Sequence, residues 1–186
     1  MLRRPPWRLW TIVSLTLTCL LCATSLPGQT REEALRLEYA VKAAYLYNFV
    51  KFVDWPAARL PAADTAITVC ILGVDPFGAT IDPLAQRTAQ GRRLRIERHR
   101  DTGTLGACHV IFVSASESRQ LASVLAALPR DGVLTVGDSD AFARKGGVIG
   151  FITESGKVRL EINRAAARAA SLRIRAQLLE VARLVE

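Results

Sequence analysis

The sequence predicts a single-domain, three-layer α/β sandwich: a mostly parallel sheet with helices on both faces and an antiparallel hairpin toward the C-terminus. Three observations predict it. Continuous apolar runs rich in β-branched residues, "AITVCIL" at 66–72, "VIFVS" at 110–114 and "VLTVG" at 133–137, have the composition of strands buried on both faces. Segments with helical spacing lie between them, the alternation expected of parallel strands joined by crossover helices. Two further strand patterns, 148–154 and 157–163, meet at Ser155 and Gly156, a tight-turn pair.

Residues 1–25 stand apart from this pattern. Arg3, Arg4 and Arg8 precede an apolar run of 14 residues, 9–22. That is short of the roughly 20 residues a membrane-spanning helix needs. Ala23, Thr24 and Ser25 then supply the small residues of a cleavage site. The reading is a cleavable secretory signal peptide cut after Ser25, with an uncleaved anchor as the alternative. The remaining segment, 26–186, has the length of one ordinary domain.

The first helix is expected at 32–53, where Leu37, Val41, Tyr45, Phe49 and Phe52/Val53 recur on one face and Tyr39, Leu46, Tyr47 and Val50 widen the stripe. Lys42 and Lys51 fall at the margins of this stripe. Asp54, Trp55 and Pro56 end the helix, because a residue before proline is pushed out of the α region. A stripe of that width suffices to cover a sheet. Tyr39, Tyr47, Phe52 and Trp55 are then candidates for a second apolar surface facing a second copy or another protein, since aromatic residues are enriched at interface cores.

After the strand at 66–72 comes a glycine-containing loop, "GVDPFG", and a short helix at 79–88. A strand at 94–98 reads as nearer an edge, because polar and apolar residues alternate there. A helix at 118–128 and a short helix at 140–145 flank the strand at 133–137. Asn163 is placed to cap a last helix running from 164 to 185.

Composition and spacing narrow the function classes. Removing residues 1–25 takes three arginines with it and lowers the formal charge from +8 to +5. No basic cluster is interleaved with aromatics as a nucleic-acid groove requires, so nucleic acid is not an expected partner. An acidic protein face or a small anion suits the charge better. "GVDPFG" lacks both the G-x-G-x-x-G and the Walker spacing. Asp75, Ser114, Ser116 and Asp138 fall near strand ends and could share one rim, but no histidine stands beside a serine as a hydrolase triad requires. His109 and Ser114 lie at opposite ends of one strand, roughly 16 Å apart. Two histidines and the two cysteines beyond residue 25 show no metal-ligand spacing. No enzymatic activity, cofactor or metal is expected.

Cys70 lies in the first buried strand and Cys108 just before another. If those strands are neighbours, a disulfide between them is sterically allowed and an oxidising compartment favours it. Two buried free thiols are the alternative.

The segments "EYAVKAAYLYNFVKFVDWP" at 38–56, "ITVCILGVDPFG" at 67–78, "ACHVIFVSASE" at 107–117, "VLTVGDSDAFARKGGVIGF" at 133–151 and "GKVRLEIN" at 156–163 together resemble the YfiR family of periplasmic proteins. The resemblance implies a Rossmann-like α/β sandwich, usually dimeric and without enzymatic activity. It implies a periplasmic repressor that restrains an inner-membrane diguanylate cyclase, lowers cyclic di-GMP and so opposes biofilm formation. An outer-membrane lipoprotein able to sequester the repressor belongs to the same picture. Redox state enters that family through disulfides. This sequence has no cysteine in 141–151, so it lacks the additional pair of some members. A small anionic ligand such as a nucleotide is the other class kept open. Arg59, after "DWP", and Arg173 and Arg175 are candidates to hold it, because arginine captures carboxylate or phosphate bidentately.

Overall fold

The computed structural model describes residues 27–186, with side chains from Arg31 onward. The expected signal peptide lies outside the described residues. The fold below is that of the compact unit Arg36–Glu186.

The fold is mixed α/β around a central, mostly parallel sheet. Its elements in order are α1 (Pro27–Phe52), β1 (Val53–Asp54), β2 (Ile67–Leu72), β3 (Thr88–Ala89), β4 (Arg92–His99), β5 (Val110–Val113), α2 (Leu121–Ala127), β6 (Leu134–Gly137), β7 (Ile149–Glu154), β8 (Lys157–Asn163), α3 (Arg164–Ala169), β9 (Arg173–Ile174), α4 (Ala176–Leu179) and β10 (Arg183–Val185). The strand order is β10-β8-β7-β6-β5-β2-β4-β3, while β1 and β9 form a separate two-stranded ribbon. β4, β2, β5, β6 and β7 run parallel, β8 is antiparallel to β7, and β3 is antiparallel to β4. The hairpin is not the outermost feature on its side, because β10 pairs parallel to β8 beyond it.

The buried strands sort their side chains by pleat. Val69, Ile71, Val110, Phe112, Leu134 and Val136 join the core under α1 and α3. Cys70, Leu72, Ile111 and Val113 join a second core with Leu121, Val124 and Phe142. Strands that are fully buried on both faces read as unbroken apolar runs for this reason.

The buried face of α1 is not the stripe of Leu37 and Val41, which are 64% and 45% exposed. Leu46, Phe49 and Val50 of the expected stripe are buried, and Lys42 and Ala43 take the places expected of Leu37 and Val41. Lys42 is tolerated there because its ammonium is paired, with Glu38 at 2.7 Å and Asp138 at 3.0 Å. The aromatic residues of α1 extend a cluster over the sheet: Tyr39 meets Phe77 edge-on at 5.3 Å, and Phe49 stacks on Phe151 at 5.8 Å.

Three expected helices are replaced. Residues 79–88 form two 3-10 turns, Gly78–Thr80 and Asp82–Gln86. Pro83 removes a donor there, and the Arg98 guanidinium holds the turns by binding Gly78 O at 3.0 Å and Asp82 at 2.7 Å. Residues 140–145 form turns that seat Phe142 between Gly137 and Gly147, where an added Cβ would fall 2.3 and 2.0 Å from its ring. The expected helix over 164–185 stops at Ala169. Ser171 takes a left-handed φ of 56°, and its N–H bonds Arg168 O while that of Leu172 bonds Ala167 O. The chain then crosses to β1 as β9. The expected helix 118–128 begins as a 3-10 turn, Ala115–Gln120, and becomes α-helical only from Leu121.

Candidate functional site

Strand register places two polar residues, Glu97 and His99, beside the cysteines. In the parallel pairing of β2 with β4, Cys70 faces Glu97 and Leu72 faces His99, so Cys70, Glu97 and His99 point to one side of the sheet. The 3-10 turn Leu105–Ala107 delivers Cys108 to that side just before β5. Cys70 and Cys108 are joined as a disulfide with Cα atoms 5.8 Å apart, and both are fully buried. The sulfurs and a ring nitrogen of His99 all lie within 4.8 Å of one another. His99 is held by Thr104 at 2.7 Å through Nδ1 and by Glu97 at 3.3 Å through Nε2. Sequence spacing hides this cluster, since His99 lies 29 residues after Cys70 and meets it only through strand register. No spacing signal in the sequence marks it, because it depends on the register between β2 and β4.

The arginine candidates separate into two places. Arg173 and Arg175 both bind the Asp54 carboxylate, at 2.8 and 2.6 Å, where β9 pairs with β1. The hydrogen bond from Arg175 holds the Asp54 carboxyl below its ordinary value, against a smaller opposing effect of burial. Arg59 lies elsewhere. Its stem crosses Gly132, where a Cβ would sit 2.3 Å from Arg59 Cγ, and its guanidinium donates to the carbonyls of Gly106 and Cys108. Arg59 Nε is buried with no partner among the described residues. Arg59 lines a cavity of about 310 Å³ with Thr68, Arg95 and His109. Arg173 lines another, of about 330 Å³, with Arg164, Arg168 and Leu179. Arg59 and Arg173 thus line different cavities, and Arg175 lines neither of these two. A further cavity of about 340 Å³, lined by Leu125, Ala126, Ala166 and Ala169 among others, contains none of them.

His109 fixes the floor of the Arg59 cavity. Its Nδ1 accepts the Thr68 N–H at 3.1 Å, and Nε2 donates to Arg59 O at 3.0 Å. Burial lowers its pKa below the ordinary histidine value, which keeps this neutral tautomer.

The aromatic candidates each have an internal partner. Tyr39 OH donates to Asp138 at 2.8 Å, Tyr47 OH to Thr88 O at 3.0 Å and Trp55 Nε1 to His109 O at 3.3 Å. Phe52 packs half-buried on the core. Tyr39 has its pKa pushed well above the ordinary tyrosine range, by burial first and then by Asp138. Tyr47 additionally carries the Arg87 guanidinium 5.1 Å from its ring centre.

The strand-end rim does not converge. Asp75 is bound by Arg98 at 2.7 Å and accepts the Phe77 N–H. Ser114 caps the following turn through Ser116 N, and Ser116 Oγ accepts the Val74 N–H. Asp138 turns inward to Tyr39 and Lys42, and its Oδ1 and the Ser139 hydroxyl are buried without partners among the described residues. These residues serve loop structure and helix docking rather than one site.

A family described as YfiR/HmsC-like matches residues 39–183. No curated protein matches the chain.

Proposed function

The chain belongs to the YfiR/HmsC-like family, and from that premise we propose that it is a periplasmic regulatory binding protein that restrains a membrane-bound signalling enzyme. The enzyme on this reading is a diguanylate cyclase or a similar inner-membrane sensor, contacted through its periplasmic region, so that free repressor lowers cyclic di-GMP and biofilm output. An outer-membrane lipoprotein that withdraws the repressor fits the same scheme. The observation that carries the reading is the extent of the family match, which takes in both cores, the disulfide and the β1–β9 ribbon. The Rossmann-like reading of the sandwich, export by a signal peptide over 1–25 and assembly as a homodimer belong to the same proposal. Tyr47, Phe52 and Trp55 form its interface, with Tyr39 at its upper end. They are half-buried, so each keeps apolar surface for a second protein while anchored to this one. Among the described residues no helix is long and apolar enough to cross a membrane.

The test is an affinity capture of the tagged protein on detergent-solubilised membranes of its own organism, read by mass spectrometry. Retention of one inner-membrane protein with a cyclase or kinase output domain is the expected result. A folded, oxidised protein that retains no such protein overturns the reading.

A second reading, capture of a small anion, is favoured by the three arginines, Arg164, Arg168 and Arg173, that line one cavity. Titration calorimetry with mononucleotides decides it, and absence of heat removes it.

A further inference from the structure

We propose that, once its disulfide is reduced, the protein binds one Zn²⁺ through Cys70, Cys108 and His99, the metal taking over the tie between β2 and the start of β5. The inference rests on the side-chain cluster and does not depend on the regulatory reading.

Tetrahedral zinc holds sulfur at about 2.3 Å and imidazole nitrogen at about 2.0–2.1 Å, which sets its ligand atoms roughly 3.5–3.8 Å apart. The three candidate atoms already lie within 4.8 Å of one another. Two reduced sulfurs cannot remain bonded and part to non-bonded contact, which is close to the separation zinc requires. No backbone rearrangement is needed, because the two cysteines are fixed by β2 and by the turn before β5.

The chemistry balances. Two thiols of a small-molecule reductant cleave the Cys70–Cys108 bond and leave as their own disulfide, delivering two electrons and two protons to the protein sulfurs. Zinc binding then releases those two protons to solvent. Two thiolates neutralise the charge of the ion, which suits a pair whose residues are fully buried. His99 is the third ligand. One ring nitrogen coordinates and the other keeps its present partner, Glu97 or Thr104, the outer-shell arrangement that orients metal-bound histidine. The His99 side chain is 13% exposed, so the ion has an entry path on that side, and the fourth position is left to water.

The probe is Co²⁺, followed by Zn²⁺ competition, on the full exported chain reduced and freed of reductant under anaerobic conditions. The expected result is a thiolate-to-cobalt charge-transfer band that saturates at one ion per chain, is bleached by Zn²⁺, and is absent from the oxidised protein. His99→Asn weakens binding at least tenfold, and Glu97→Gln weakens it by about tenfold through the outer shell. No band in a reduced protein that keeps its circular dichroism overturns the proposal, as does equal affinity in His99→Asn. Should reduction unfold the chain, Zn²⁺ is expected to restore the native spectrum, and failure to do so overturns it equally.

Discussion

The Lys42 ammonium lies 3.0 Å from the Asp138 carboxylate although their side chains are only 5% and 3% exposed. The pair docks the middle of α1 onto the end of β6, and Tyr39 reinforces it from one turn earlier. Removing one partner leaves the other charge buried and alone. Lys42→Met is therefore expected to lower unfolding stability by about 3 kcal/mol or more. Urea denaturation measures it, and Lys42→Met with Asp138→Asn is expected to regain part of the loss. A single variant as stable as wild type would show that the pair contributes nothing.

The disulfide closes a loop with a sequence separation of 38 residues. In the chain-entropy model this stabilises by about 3–4 kcal/mol. Cys70→Ala with Cys108→Ala should lower the unfolding free energy read from urea denaturation by that amount, with a corresponding fall in the midpoint. Treatment with reductant in a chelator should reproduce the shift in wild type and leave the double variant unchanged.

Glu161 is buried at its side chain yet ionised, because the Arg144 hydrogen bond, and behind it Arg144 and Arg183, lower its pKa against the opposing effect of burial. A lowered carboxylate pKa contributes stability that is fully present above the unfolded value and lost on acidification. The loss should begin as pH falls past the ordinary glutamate value of 4.5 and run to completion below the lowered folded value. Glu161→Gln should flatten this part of the stability–pH curve. An unchanged acid limb in that variant would assign the effect to other carboxylates.

Ser171 holds a φ of 56° at an exposed position where helices ordinarily place glycine. Ser171→Gly should raise stability by about 0.5–1 kcal/mol by removing the Cβ strain of the left-handed conformation. A lower melting temperature in Ser171→Gly would mean that the added unfolded-state entropy outweighs the relief.

Tyr47 exchanges one hydrogen bond, to Thr88 O, for its place on the surface. Tyr47→Ala should remain folded at a cost of about 1 kcal/mol. In sedimentation and membrane-capture assays it should lose self-association or partner retention, as should Trp55→Ala. Normal behaviour of both folded variants in both assays would remove these residues from the proposed interface.

The parts of the fold that were legible are those encoded locally. "AITVCIL" and "VIFVS" announce buried strands by composition alone, and they form β2 and β5 side by side. The turn at Ser155 and Gly156 likewise joins β7 to β8 where the sequence places it. The C-terminal segment was illegible because its break depends on Ser171 adopting a rare backbone conformation and on Asp54, 119 residues from Arg173, drawing β9 across the molecule. The N-terminal end of the α1 face, at Leu37 and Val41, was misassigned for a related reason. Lysine reads as a margin residue, and the carboxylate that lets Lys42 be buried is 96 residues away. His99 escaped notice as a neighbour of the cysteines because strand register, unlike spacing, is a tertiary property.

The β4 strand carries Arg92, Arg93, Arg95 and Arg98, and beyond Leu94 no strand among the described residues covers its outer side, because β3 pairs only with Arg92 and Arg93. An uncovered strand border is a template on which further chains can stack into fibrils, and a row of like charges is a common deterrent. The exposed charges of Arg93 and Arg95 thus act against stacking of further chains on that border. Neutralising those arginines should cost solubility before it costs any binding partner.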